Sequence, residues 1–270
     1  MARFRKTWLL MAILAGIVIW GMAASPAQAQ FRLRVEDVGQ GVGTIITDQG
    51  PGDINPVVGA ITFSGPVGTN FIVNVTTGIS MPPVPGGIGY AELDLNSVNV
   101  ASAGAGTLRI TLVQGDDPTA PGTGGYTTGP VGTLGLLATI GGTLTAPAGS
   151  TLTAQSWANP TNAVIPLGLD QAVGPIGAIG PVPAGSVSAF PPFVTGPGAF
   201  SATGVAAFTR GTGPYSLFSQ VTVSFSGSGS VSFDENQLVI PAPGGLVLAL
   251  TGLPVLGLGY LRRRLKAKAA

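Results

Sequence analysis

Alternation of apolar and polar positions runs through the middle of the chain. Phe71, Val73 and Val75 alternate with Ile72, Asn74 and Thr76, and Ala91, Leu93 and Leu95 alternate with Glu92, Asp94 and Asn96. A period of two with one wet face marks a half-buried antiparallel strand. Beyond Asn96 the phase flips, because Val98 and Val100 become the apolar positions, and a β-bulge near Ser97 would produce that flip. Leu108, Ile110 and Leu112 predict another strand, with Arg109 and Thr111 facing out. Val221, Val223 and Phe225 predict a late one, with Val231 and Phe233 as its hairpin partner across Ser226 to Gly229. Further strands are expected at Phe31–Val38, Gly43–Thr47, Ala60–Ser64, Leu134–Thr145, Ser150–Trp157 and Phe200–Thr209.

Gly, Pro, Asn and Asp separate nearly all of these segments, as turn chemistry requires. No helix-length amphipathic pattern appears between them. The expected fold is all-β, an antiparallel β-sandwich of jelly-roll-like type occupying residues 30–240. Two stretches, Gly115–Pro130 and Asn159–Pro197, are too rich in Pro and Gly for central strands. The second is either a long surface loop or a point of subdivision within 159–197.

The two ends break this pattern. Residues 1–29 read as a signal peptide: a basic start, an apolar run from Trp8 to Ala24, then the small residues Ala27 and Ala29 of an A-x-A site for signal peptidase. An uncleaved anchor is the alternative. At the other end Pro241, Ala242 and Pro243 precede an uncharged stretch, 244–261, and then Arg262, Arg263 and Arg264. At the helical rise, that stretch spans about 27 Å, enough for a transmembrane helix across a bilayer core. The arginines form a basic cytoplasmic end by the positive-inside rule, which places the middle of the chain outside.

Composition and charge then narrow the chemistry. All 11 acidic residues lie in the middle, against the four arginines Arg32, Arg34, Arg109 and Arg210 and no lysine, so the body is acidic although the whole chain is +1. An acidic body repels phosphate backbones, and nucleic acid is excluded as a partner. With no His and no Cys there is no usual zinc site, no disulfide and no Ser-His or Cys-His nucleophile. No catalytic residues are assigned, and the expectation is a protein that is not an enzyme. Carboxylates remain: Glu92 and Asp94 share a strand face about 7 Å apart, either a ligand-binding or glycan-processing pair or a hydrated outer face. Asp48, Asp53 and Asn55 lie in a glycine-rich loop that offers oxygen ligands to Ca²⁺, or else caps its own turn. Trp157 is the one tryptophan left after signal removal, a sugar-stacking platform or a core residue.

The segment from Ile240 to Arg264, IPAPGGLVLALTGLPVLGLGYLRRR, resembles a PEP-CTERM sorting domain in the order of its three parts: a short proline motif, an apolar helix and an arginine cluster. It differs in having Ala242 where that family has Glu. The stretch 47–114 is similar to the N-terminal part of many exported proteins of the same class. The resemblance implies processing by an exosortase-like membrane protease in a Gram-negative-type bacterium that makes exopolysaccharide. It further implies a structural or adhesive role at the cell surface or in the biofilm matrix, membrane-anchored until processed.

Overall fold

The computed structural model describes residues 31–81, 91–116, 124–127, 129–168, 179–189 and 192–241, with the backbone alone for 76–81 and 241. The chain forms β1 (Phe31–Asp37), β2 (Val42–Thr47), β3 (Ala60–Val67), β4 (Phe71–Met81), β5 (Glu92–Ser102), β6 (Gly106–Gln114) and β7 (Gly132–Thr145). There follow β8 (Thr151–Asn159), β9 (Val187–Ser188), β10 (Phe193–Thr195), β11 (Gly198–Arg210), β12 (Ser216–Phe225) and β13 (Gly229–Pro241). The fold is all-β. No helix among the described residues is long and apolar enough to cross a membrane.

Two antiparallel sheets share one core. The back sheet has the order β10-β8-β12-β6-β1-β2, with β9 added against β8, and the front sheet has the order β11-β7-β13-β5-β4-β3. Inward side chains of both sheets, among them Leu33, Ile110 and Val221 from the back and Val73, Leu93, Leu136 and Phe233 from the front, form a single buried cluster. Alternation within each strand puts these apolar residues on one face, which is why the period of two was legible. The loop from Asp48 to Gly59 joins the outermost strands β2 and β3, closing one side of the sandwich.

The phase flip in β5 is a bulge. Val98 faces Phe233, but Leu95 faces Glu235, so two residues of β5 oppose Asp234 alone. Ser97 takes the left-handed conformation, with φ of 52°. Its N–H donates to the Asp234 carboxylate, which anchors the extra residue. One glycine is needed close by: a Cβ on Gly142 of β7 would stand 2.2 Å from the Ser232 carbonyl oxygen.

Three local expectations change. β12 and β13 are not a hairpin, because β12 pairs with β6 and β8 whereas β13 pairs with β5 and β7. Ser226 to Gly229 therefore carry the chain from one sheet to the other, a turn with the same composition as a hairpin loop. Thr111 does not face water: it is fully buried on the outer side of the back sheet, where Gln220 donates to its hydroxyl. The last strand runs past the expected end of the sandwich at residue 240, for the Pro241 backbone still pairs with Leu134 at the end of β13. Ala27, Ala29, Ala242, Pro243, the helix 244–261 and Arg262, Arg263 and Arg264 lie outside the described residues.

Candidate functional site

The outer faces of the two sheets differ in kind. On the back sheet, Ile45, Val113, Trp157 and Phe218 point outward and are covered by Val164, Ile165 and Leu167, forming a second small core. Polar contacts pin this cap. Arg34, itself buried, donates to the Leu167 carbonyl and to Glu36, and Arg109 lies 3.4 Å from the other oxygen of Glu36. Ser216 donates to the Ala163 carbonyl, and Gly180 to that of Pro166 at 2.8 Å. Burying an ion pair costs desolvation unless its hydrogen bonds are met, and Arg34 and Glu36, both buried, fasten the cap to the sheet while Arg109 stays partly exposed.

Trp157 belongs to that cap. The residue is 5% exposed, and its ring stacks on Phe218 with centroids 5.3 Å apart and planes 19° apart. Its neighbours Ser156 and Ala158 point into the main core, so alternation sends Trp157 outward, where the chain's own loop takes the place of a ligand. Both faces of a platform cannot be offered to a sugar by a ring packed in this way.

Among the described residues nothing covers the outer face of the front sheet around β4, β5, β13 and β7. Ile72 and Asn74 of β4, Asn99 and Ala101 of β5, Ser230 and Ser232 of β13, and Thr143 and Thr145 of β7 line a shallow groove of about 350 Å³. It carries amides, hydroxyls and methyl groups and no charge. The β5 bulge sets one wall, because the Asn99 amide donates to the Ser97 carbonyl at 2.9 Å. Further along the same face lies an acidic patch of Glu92, Asp94 and Asp234. Asn236 stands opposite Asp94 and donates to Glu92. Burial pushes the Asp94 carboxyl up to about 6, with the charges of Glu92 and Asp234 adding to it. The Glu92–Asp94 pair is thus joined by Asp234.

Asp234 and Glu235 are adjacent in sequence and part company across the sheet. Glu235 points inward, is 1% exposed and is held by the hydroxyls of Ser156 and Ser219 from the back sheet. Burial pushes it up to about 7, against the lowering effect of those hydroxyls.

The loop between β2 and β3 uses its oxygens internally. Asp53 accepts from the backbone N–H groups of Gln49, Asn55 and Thr62 at 2.9 to 3.0 Å. Asp48 accepts from Gly59 at 2.7 Å, and the Asn55 side chain from Val57 at 2.9 Å. Among the described residues no three acidic, His or Cys side chains are grouped to hold a metal ion. Asp48, Asp53 and Asn55 are caps of their own turn, and burial raises the Asp48 carboxyl above its ordinary value.

The groove has no signature in the sequence. Asn74, Asn99, Ser230 and Ser232 are the polar half of their alternations, but their adjacency depends on β13 lying between β5 and β7. No local pattern shows that order.

No family model matches the chain, and no curated protein does. Among solved structures, it overlaps the module TmCBM61 in complex with beta-1,4-galactotriose at 9% identity, over 71% of this chain and 92% of that one, with a TM-score of 0.28. A family 11 carbohydrate-binding module from Clostridium thermocellum, in complex with a mixed-linked tetrasaccharide, overlaps at 13% identity over 78% of this chain and 96% of that one, TM-score 0.28. The mannan-recognising module TmCBM27 overlaps at 14% identity over 56% and 75%, TM-score 0.20. Overlaps this loose carry no argument about function.

Proposed function

We propose that this chain is an exported, non-enzymatic structural or adhesive protein whose open front face holds the exopolysaccharide of the surface or matrix to which it is sorted. The observation that carries this reading is the contrast between the faces. One part of the back sheet is covered by its own loop, over Ile45, Val113, Trp157 and Phe218, while the front sheet presents an uncharged groove of Asn74, Asn99, Thr143, Thr145, Ser230 and Ser232. Amides and hydroxyls spaced along neighbouring strands exchange hydrogen bonds with a polyhydroxyl chain, and the methyl groups of Ile72 and Ala101 pack against its apolar ring faces. On this reading the body is a jelly-roll-like sandwich between a signal helix and a transmembrane helix. Signal peptidase and an exosortase-like protease act at the two ends, and the helix anchors the chain until it is processed.

Retention on exopolysaccharide from the host tests the reading. Asn74→Ala combined with Asn99→Ala, which removes two exposed amides from the groove, should reduce saturable retention by roughly tenfold, the loss of about 1.4 kcal/mol. Retention equal to that of the unaltered protein would overturn it. A second reading, a carboxylate-dependent glycan-processing module, draws on Asp94, which keeps its proton to about pH 6 beside two other carboxylates. Release of reducing ends that disappears in Asp94→Asn would favour that reading over the first.

A further inference from the structure

Among the described residues each sheet has two outer edges, and apart from β11 these edges are short or interrupted. In the back sheet, β10 has 3 residues and its companion β9 has 2, while β2 has 6. In the front sheet, β3 contains Gly65 and Pro66 and has a register irregularity against β4. Short length, proline and irregularity are the means by which sheet edges avoid joining other sheets. β11 has none of them. It runs for 13 residues in unbroken register with β7, and among the described residues it has no strand on its other side.

Two properties of β11 point to what covers it. From Gly198 to Thr209 it carries no charge in a body that is otherwise acidic, so two copies meet along it without repulsion. Its inward residues, moreover, read alike in both directions: Phe200, Ala202, Gly204, Ala206 and Phe208. Strands paired antiparallel about a two-fold axis through Gly204 place Phe200 opposite the partner's Phe208 and Ala202 opposite the partner's Ala206, large against large and small against small. Phe200, Ala202 and Ala206 are only half-buried, while Leu136, Ala138 and Ile140 on the adjoining β7 are fully buried. A second β11 paired along this edge would set its inward side chains beside Phe200, Ala202 and Ala206 and bury them further.

We propose that β11 is a homotypic docking edge, pairing with β11 of a second copy about Gly204 and joining two front sheets into one. This assignment is independent of what the groove binds. It would also set two grooves on one continuous face, the arrangement that gives a polymer binder avidity.

The absence of cysteine from the chain makes a direct test available. In the proposed register Ser201 of one copy faces Ala207 of the other, and both positions are exposed, so neither replacement should disturb folding. Full-length Ser201→Cys and Ala207→Cys proteins are oxidised separately and as a mixture, and covalent dimer is measured on a non-reducing gel. Cysteines on directly opposed strand positions lie within disulfide reach, whereas Ser201 and its own copy are about 20 Å apart. The mixture should yield at least roughly tenfold more covalent dimer than either protein alone, through disulfides between the two variants. Yields from the mixture no greater than from the separate proteins would overturn the proposal. Contact through the tail or through another edge would give that second result, because it does not select this pairing.

Discussion

Glu235 is turned into the sandwich from β13 with its carboxyl group between the hydroxyls of Ser156 and Ser219, and its replacement by Gln isolates the effect of that buried acid. Burial raises its pKa to about 7, from an ordinary value of 4.5. The folded protein therefore keeps this proton over a range in which the unfolded chain has lost it. Stability falls as pH rises from 4.5 towards 7 and is flat in this group above that. At 1.36 kcal/mol for each pH unit, the span amounts to about 3 kcal/mol, or roughly 10 °C in melting temperature for a domain of this size. Asp94, raised to about 6, changes stability in the same direction, so the comparison must be a difference between two proteins. Urea unfolding from pH 4.5 to 8.5, followed by the fluorescence of Trp157, supplies it. Glu235→Gln keeps the shape and a hydrogen-bonding oxygen, and it should lose most of the decline that the unaltered protein shows, ending about 3 kcal/mol more stable relative to it at pH 8 than at pH 4.5. Parallel pH profiles for the two proteins would refute the reasoning.

Other outcomes follow from the same geometry. Trp157→Ala should cost about 3–5 kcal/mol in unfolding, as a large buried ring leaves a cavity against Phe218, while glycan retention by the folded fraction stays unchanged. EDTA should leave the melting temperature where it is, because the oxygens of Asp53 and Asn55 already serve backbone N–H groups, and a bound ion would have to raise it. The intact mass of the protein from the surface fraction of host cells should correspond to a start at Gln30 and an end between Pro241 and Gly244. That end leaves β13 whole, since its last paired residue is Pro241. A mass retaining Arg262 to Ala270, found in membranes, would identify a permanent anchor.

Much of the architecture could be read along the chain because a strand's alternation is local. The inward residues of β4, β5 and β6 follow from it directly, and the phase flip after Asn96 located the bulge at Ser97. What alternation does not encode is which strand lies beside which. Ser226 to Gly229 have the Gly and Ser of a tight hairpin, yet they carry the chain across the sandwich, so neither the neighbours of β13 nor the groove they form follows from local pattern. The same limit applies to Thr111 and Trp157. Their outward direction is a matter of counting by two, but their cover comes from Val164, Ile165 and Leu167, a segment whose Pro-rich surroundings read only as loop. Pairing of Glu92 and Asp94 was visible in the strand pattern, whereas the third carboxylate, Asp234, joins them only through the pairing of β13 with β5.

Which face of the sandwich meets the polymer is decided most directly by an amide-resolved titration of the isotopically labelled protein with host exopolysaccharide. Saturable shifts should concentrate at Asn74, Asn99, Thr143, Ser230 and Ser232, with the indole of Trp157 unmoved. Shifts centred on the cap around Leu167 and Trp157, or none at saturating polymer, would contradict binding at the front face.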